Sequence, residues 1–301
     1  MSDVALRATV SDGALLSTGD WTIREQEHRR RADALLDTYR PADGKPHPVW
    51  DFLFTYYSLR PGQLRTWHPG YGVVLAGAQR YLDRTGYVQV DGGVAVSRQY
   101  LSTRTDTVRF VHGLLRATAS RPARLNCFGL HEWAMVYRAP TVRHAQVPLR
   151  LGAAGTNAVV ESMPLRCSHF DAFRFFTEPA TRRNEGRPTR TDQVGWEQPG
   201  CLHTNMDLYK FAYKLGPLVE SSLILDCLEL AADARALDMR ASPYDLRVYG
   251  FVPIEIETAA GRAEYVRAQQ EIASRAAPLR TALTARCGEL LSAAKAVVRG
   301  E

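Results

Sequence analysis

The chain has 301 residues, 45% of them apolar and 23% charged, which excludes a disordered or fibrous protein and permits a sizeable core. The net charge of +6 comes almost wholly from arginine, since the only lysines are Lys45, Lys210, Lys214 and Lys295. Arginine suits two-pronged contact with phosphate or carboxylate, although a GC-rich coding bias produces the same charge with no anionic partner. The longest apolar runs fall far short of the roughly 20 residues that cross a bilayer, and the first residues lack a basic start followed by a long apolar stretch. No membrane partner is expected. Five scattered cysteines without a CxxC pair point to reduced thiols and a cytoplasmic location rather than to a disulfide framework or a zinc ribbon.

In chain order, residues 22–39 read as a polar helix whose basic run Arg29, Arg30 and Arg31 faces solvent. The Pro- and Gly-rich segment 41–48 then marks a boundary, giving an N-terminal helix and linker (1–47) and a main domain (48–301). The aromatics of 49–57 are expected in the core. Residues 87–96 alternate around Asp91-Gly92-Gly93, a hairpin signal. A helix is expected over 107–118. Residues 149–162 read as strand, glycine turn and helix, and 165–176 as a strand, followed by a basic, turn-rich loop over 177–193. Helices follow over about 202–215, 221–237 and from 263 onward, with a further helix start at Ser242-Pro243-Tyr244-Asp245. The fold expected is α+β: a mainly helical single globular domain with a small mixed or antiparallel sheet.

Three histidines have carboxylates close by in sequence: His131 beside Glu132, His169 near Asp171, and His203 near Asp207. Imidazole with carboxylate suits a divalent transition metal, iron or zinc, or proton transfer. On a strand, His169 and Asp171 share a face; on a helix, His203 and Asp207 share one. Thr204 and Asp207 also fit a capping box, which would make Asp207 structural. None of these segments matches HExxH, a paired ExxH or the HxE…PCxxC deaminase pattern. The single ExxH, Glu25 to His28, lies on the Arg-rich helix expected in solvent. Gly152 to Asn157 could cradle a phosphate at a helix start, but without the lysine of a Walker loop or the third glycine of a dinucleotide fingerprint a plain tight turn is the better reading. Arg182, Arg183, Arg187 and Arg190, with Lys210 and Lys214, could follow a nucleic-acid backbone or form a solvated loop. Asp226, Glu229 and Asp233 form an acidic stripe able to neutralise arginines.

The segments WDFLFTYYSLRPGQLRTWHPGYGVVLAG (50–77), HFDAFRFFT (169–177), and CLHTNMDLYKFAYKL with LELAADARALDMRASPYDL (within 201–246) resemble a family of actinobacterial proteins commonly labelled 3-methyladenine DNA glycosylase. The resemblance spans about residues 49–286 and implies DNA as partner and repair of alkylated purines as activity. Such chemistry requires a carboxylate, for which Asp171, Asp207 and Glu132 are the candidates, with His169 alongside. The residues themselves leave open a metal-dependent oxygenase or hydrolase acting on a small molecule through His131, His169 and His203, and a nucleic-acid binding protein without catalysis. Convergence of the three histidines would favour the metal enzyme.

Overall fold

The Asp91-Gly92 turn closes a two-residue hairpin between β3 (Tyr87–Val90) and β4 (Gly93–Val96), paired from Val90↔Gly93 to Tyr87↔Val96. Gly92 adopts φ +84°, as a left-handed hairpin turn requires. These strands complete a four-stranded mixed sheet of order β1-β2-β4-β3, in which β1 (Ala14–Leu16) runs parallel to β2 (Val73–Leu75) and β2 antiparallel to β4. The computed structural model describes residues 14–40, 46–140 and 146–299.

The rest is helical. After β1 come α1 (Thr18–Tyr39), α2 (Asp51–Thr55) and α3 (Pro61–Leu64); after the sheet come α4 (Arg98–Ala119), α5 (Leu130–Ala134), α6 (Gly152–Ser162), α7 (Phe170–Phe173), α8 (Glu178–Thr181) and α9 (Gln193–Trp196). Three long helices follow: α10 (Leu202–Lys214), α11 (Ser221–Arg240) and α12 (Ala259–Arg299). The architecture is mainly helical α+β. α10 is buried from Leu202 through Ala212 and packs against α11 and α12, while α12 also lies along α4. A helix buried all round is a core element, so α10 is the axis on which the others assemble. No helix among the described residues is long and apolar enough to cross a membrane.

Several local expectations change. Residues 165–176 form no strand: they run irregularly to His169, which precedes the short α7. The aromatics fall on α7 and the turn after it, not on a pleat. Gly152 and Gly155 belong to α6 itself, and Thr156 returns its hydroxyl to the Gly152 carbonyl at 2.7 Å. Residues 242–245 start no helix; Tyr244 bridges to Leu149 instead. Glu25 and His28 are buried, not solvated: His28 Nε2 meets the Leu64 carbonyl at 2.8 Å, and Glu25 accepts from Tyr81 at 3.1 Å and pairs with Arg80. Trp21, Ala32 and Leu36 of α1 join the main core cluster. The acidic stripe on α11 pairs with arginines, Asp226 with Arg31 at 2.7 Å and Asp233 with Arg275 at 2.6 Å.

A Cβ at Gly93 would stand 2.1 Å from the Leu75 carbonyl oxygen, a backbone atom that cannot swing aside. Gly93→Ala must therefore spread β2 from β4, an overpacking that costs about 1–3 kcal/mol. Thermal unfolding should show Tm lowered by several degrees; an unchanged Tm would refute this account of the sheet.

Candidate metal centre

The three histidines converge. The His203 ring on α10 lies 4.6 Å (centroid to centroid) from the His131 ring of α5 and 5.3 Å from the His169 ring. All three are buried. Around them the donors sort into two triads, each with its ligand atoms within 4.8 Å of one another: His131, His203 and Asp238, and His169, Glu197 and Asp207.

In the first triad, His131 Nε2 and Asp238 Oδ1 stand 2.8 Å apart. At this distance the two groups form a buried ion pair. Two ligands each about 2.1 Å from one ion lie about 3–3.5 Å apart, so an ion entering here would part this pair by a few tenths of an ångström. Burial alone would strip His131 of its proton, but the Asp238 carboxylate overrides burial and holds the imidazole pKa well above its usual value. Burial would likewise raise the Asp238 pKa, and His131 instead drives it down. His203 is pushed the other way, far below the ordinary range, by burial and then by the His131 charge; it is neutral and has a lone pair to give. Arg235 donates to Glu132 at 2.9 Å and to Asp238 at 3.1 Å. One guanidinium for two buried carboxylates leaves one negative charge, to be balanced by a proton on His131 or by a bound cation.

The second triad already has its cation. His169 Nε2 lies 3.3 Å from Asp207 and 3.4 Å from Glu197, but the Lys210 ammonium sits directly on Asp207 Oδ2. Lys210 is held charged: burial opposes the charge and Asp207 overcomes it. Asp207, which burial alone would push up, is pulled low chiefly by Lys210. Glu197 is pushed up, first by burial. Asp207 also accepts from the Tyr57 hydroxyl at 3.3 Å. The capping-box reading of Asp207 falls: the helix begins after Cys201, Thr204 is buried inside it, and Asp207 points into the cluster.

Solvent reaches this region through a pocket of about 400 Å³ lined by Phe52, Tyr56, Met135, Phe175, Glu132, Arg235 and His203 among others. Aromatic and apolar walls with a few converging polar groups are what a small-molecule site requires. His203 thus belongs both to the triad and to the pocket.

Of the residues singled out from sequence, His131, Glu132, His169, Asp171, His203 and Asp207 all come together here. Asp171 does not share a strand face with His169; it turns to Arg190 at 2.8 Å, Arg174 at 3.3 Å and Lys210 at 3.4 Å. The basic residues divide: Arg190, Lys210 and Lys214 border one cleft with Asp171, and Arg182, Arg183 and Arg187 lie outside it. Arg182 pairs with Glu178, Arg183 donates to the Val160 and Glu161 carbonyls, Arg187 is exposed, and Lys210 is buried. Sequence reasoning missed Arg235, Asp238 and Glu197. The first two fall on the apolar stripe of α11, seven residues after Leu228 and Ala231, where a charged side chain must be buried with a partner. Glu197 lies in a loop with no periodic signal. Comparison with protein-family models, with curated proteins and with solved structures finds no match to this chain, so the functional reading rests on its own geometry.

The pH dependence follows from these shifts. Without metal, the contribution of the depressed Asp238 is present above about pH 4 and lost as pH falls below it. That of the elevated His131 is present below about pH 6.5 and lost as pH rises through its folded value. A metal must displace the His131 proton, so the gain in Tm on adding zinc should be larger at pH 8 than at pH 6. A gain independent of pH would contradict His131 as a ligand.

Proposed function

We propose that this protein is a metal-dependent enzyme that acts on a small, largely apolar molecule. One divalent ion is held by His131, His203 and Asp238, and substrate enters through the pocket beside His203. The observation that carries the reading is the convergence of two imidazoles and a carboxylate, their ligand atoms within 4.8 Å of one another, with one of them, His203, on the wall of a pocket. Two histidines and one carboxylate leave positions open on the ion. With ferrous iron they serve oxygen activation, and with zinc they serve hydrolysis. Glu132, buried in the pocket wall and oriented by Arg235, stands where a general base would act on bound water or substrate.

Base excision in DNA, which the sequence resemblance implies, would need an exposed basic groove leading to a free carboxylate. Asp171 is instead shared among three cations, and Arg182 and Arg183 are spent on a neighbouring glutamate and on backbone carbonyls. The metal reading uses the buried groups that the DNA reading leaves without a role.

Elemental analysis of protein purified without chelators tests it. About one equivalent of iron or zinc per chain is expected, as one triad supplies one ion. His203→Ala and Asp238→Asn should lose it, while Glu197→Gln in the second triad should keep it. Less than a tenth of an equivalent in the native protein after metal supplementation would overturn the proposal, as would release of an alkylated purine from duplex DNA by metal-free protein.

A further inference from the structure

On the far side of Tyr56 and Asp171, which line both cavities, lies a second, more polar cleft of about 350 Å³. Arg174, Arg190, Lys210 and Lys214 border it. Among the described residues, two carboxylates form ion pairs with these four cations: Asp171, divided among Arg174, Arg190 and Lys210, and Asp207, held by Lys210. Lys214 has no ion-pair partner among the described residues, and its pKa is lowered, first by burial and then by repulsion from Lys210. Four cations less two anions leave two positive charges facing one cleft. Repulsion of this kind is relieved by an oxyanion, which arginine engages in two-pronged fashion and lysine as a point charge.

We infer that this cleft binds the phosphate or carboxylate group of the substrate whose apolar body occupies the pocket beside His203. The inference rests on the metal-enzyme reading for the identity of that substrate, but not for the binding of the anion. The shared wall of Tyr56 and Asp171 sets the two subsites a side chain apart, so the substrate class is a small amphiphilic anion with an aromatic or aliphatic body. Exposed Arg190 and Lys214 are the groups that admit the anion, and buried Lys210 fixes the inner end of the cleft.

Calorimetric titration of inorganic phosphate, and separately of succinate, into the full chain at low salt tests the cleft. One site per chain is expected for at least one probe, and the tighter probe names the anion. Charged hydrogen bonds contribute about 1.5–3 kcal/mol, so Lys214→Ala and Arg190→Ala should each weaken binding by at least about tenfold. Arg182→Ala, outside the cleft, should not. Phenyl phosphate should bind more tightly than inorganic phosphate; equal affinity would break the link between the two subsites. His203→Ala should lose metal and keep phosphate, which separates failure of the metal reading from failure of this one. The inference is overturned if neither probe binds, or if the two cleft variants bind as the native chain does. It is also overturned if a short oligonucleotide binds more tightly than phosphate with a steep salt dependence carried equally by Arg182 and Arg187, which would make the surface a nucleic-acid site.

Discussion

The structure turns on α10, a helix buried from Leu202 through Ala212 that carries His203, Asn205, Asp207 and Lys210 among its buried residues. Polar groups removed from water are tolerated only when they are matched, and Asn205, Asp207 and Lys210 each have a partner. Asn205 meets buried Arg280 of α12 and the Pro199 carbonyl. Asp207 meets Lys210, Tyr57 and His169. His203 lies against His131 and His169. The helix therefore acts as a spine whose polar side chains fix the positions of α5, α7, α12 and the loop after α9. Removing one partner of such a set leaves a buried charge uncompensated, which costs about 3–5 kcal/mol.

Two kinds of cation satisfy the two clusters on this spine. At His169, Glu197 and Asp207 the cation is covalently part of the chain, the Lys210 ammonium. At His131, His203 and Asp238 the positive charges among the described residues are Arg235, shared with Glu132, and the proton that Asp238 keeps on His131. The second arrangement is exchangeable. A proton can be displaced by a divalent ion where a lysine cannot, and the pocket opens toward that triad through His203 and Glu132.

Much of this was legible in the sequence for physical reasons. The Asp91-Gly92 turn has little choice of conformation, and the helices α10 and α11 announce themselves by period. The histidines stood out because imidazole beside carboxylate is chemically distinctive. The strand expected over 165–176 failed because the odd-numbered apolar set Leu165, Cys167, Phe173 and Phe175 mimics a pleat, whereas Phe170, Phe173 and Phe176 repeat at the helical spacing of a helix too short to declare itself. Thr204, three residues before Asp207, mimics a cap, but a helix that starts at 202, as the pattern predicts, already places Thr204 inside it. Arg235 and Asp238 sat in plain view on the apolar stripe of α11, whereas Glu197 has no sequence signature because a loop carries no period.

The central claim is that His131, His203 and Asp238 hold a metal ion. Crystals of the protein grown with zinc or, anaerobically, with ferrous iron, and measured at the metal absorption edge, test it most directly. The account predicts one anomalous peak per chain, about 2.1 Å from a nitrogen of His131 and one of His203 and from an Asp238 oxygen, with Lys210 still seated on Asp207. A peak at the His169 triad alone, or none within the buried cluster at saturating metal, would contradict it.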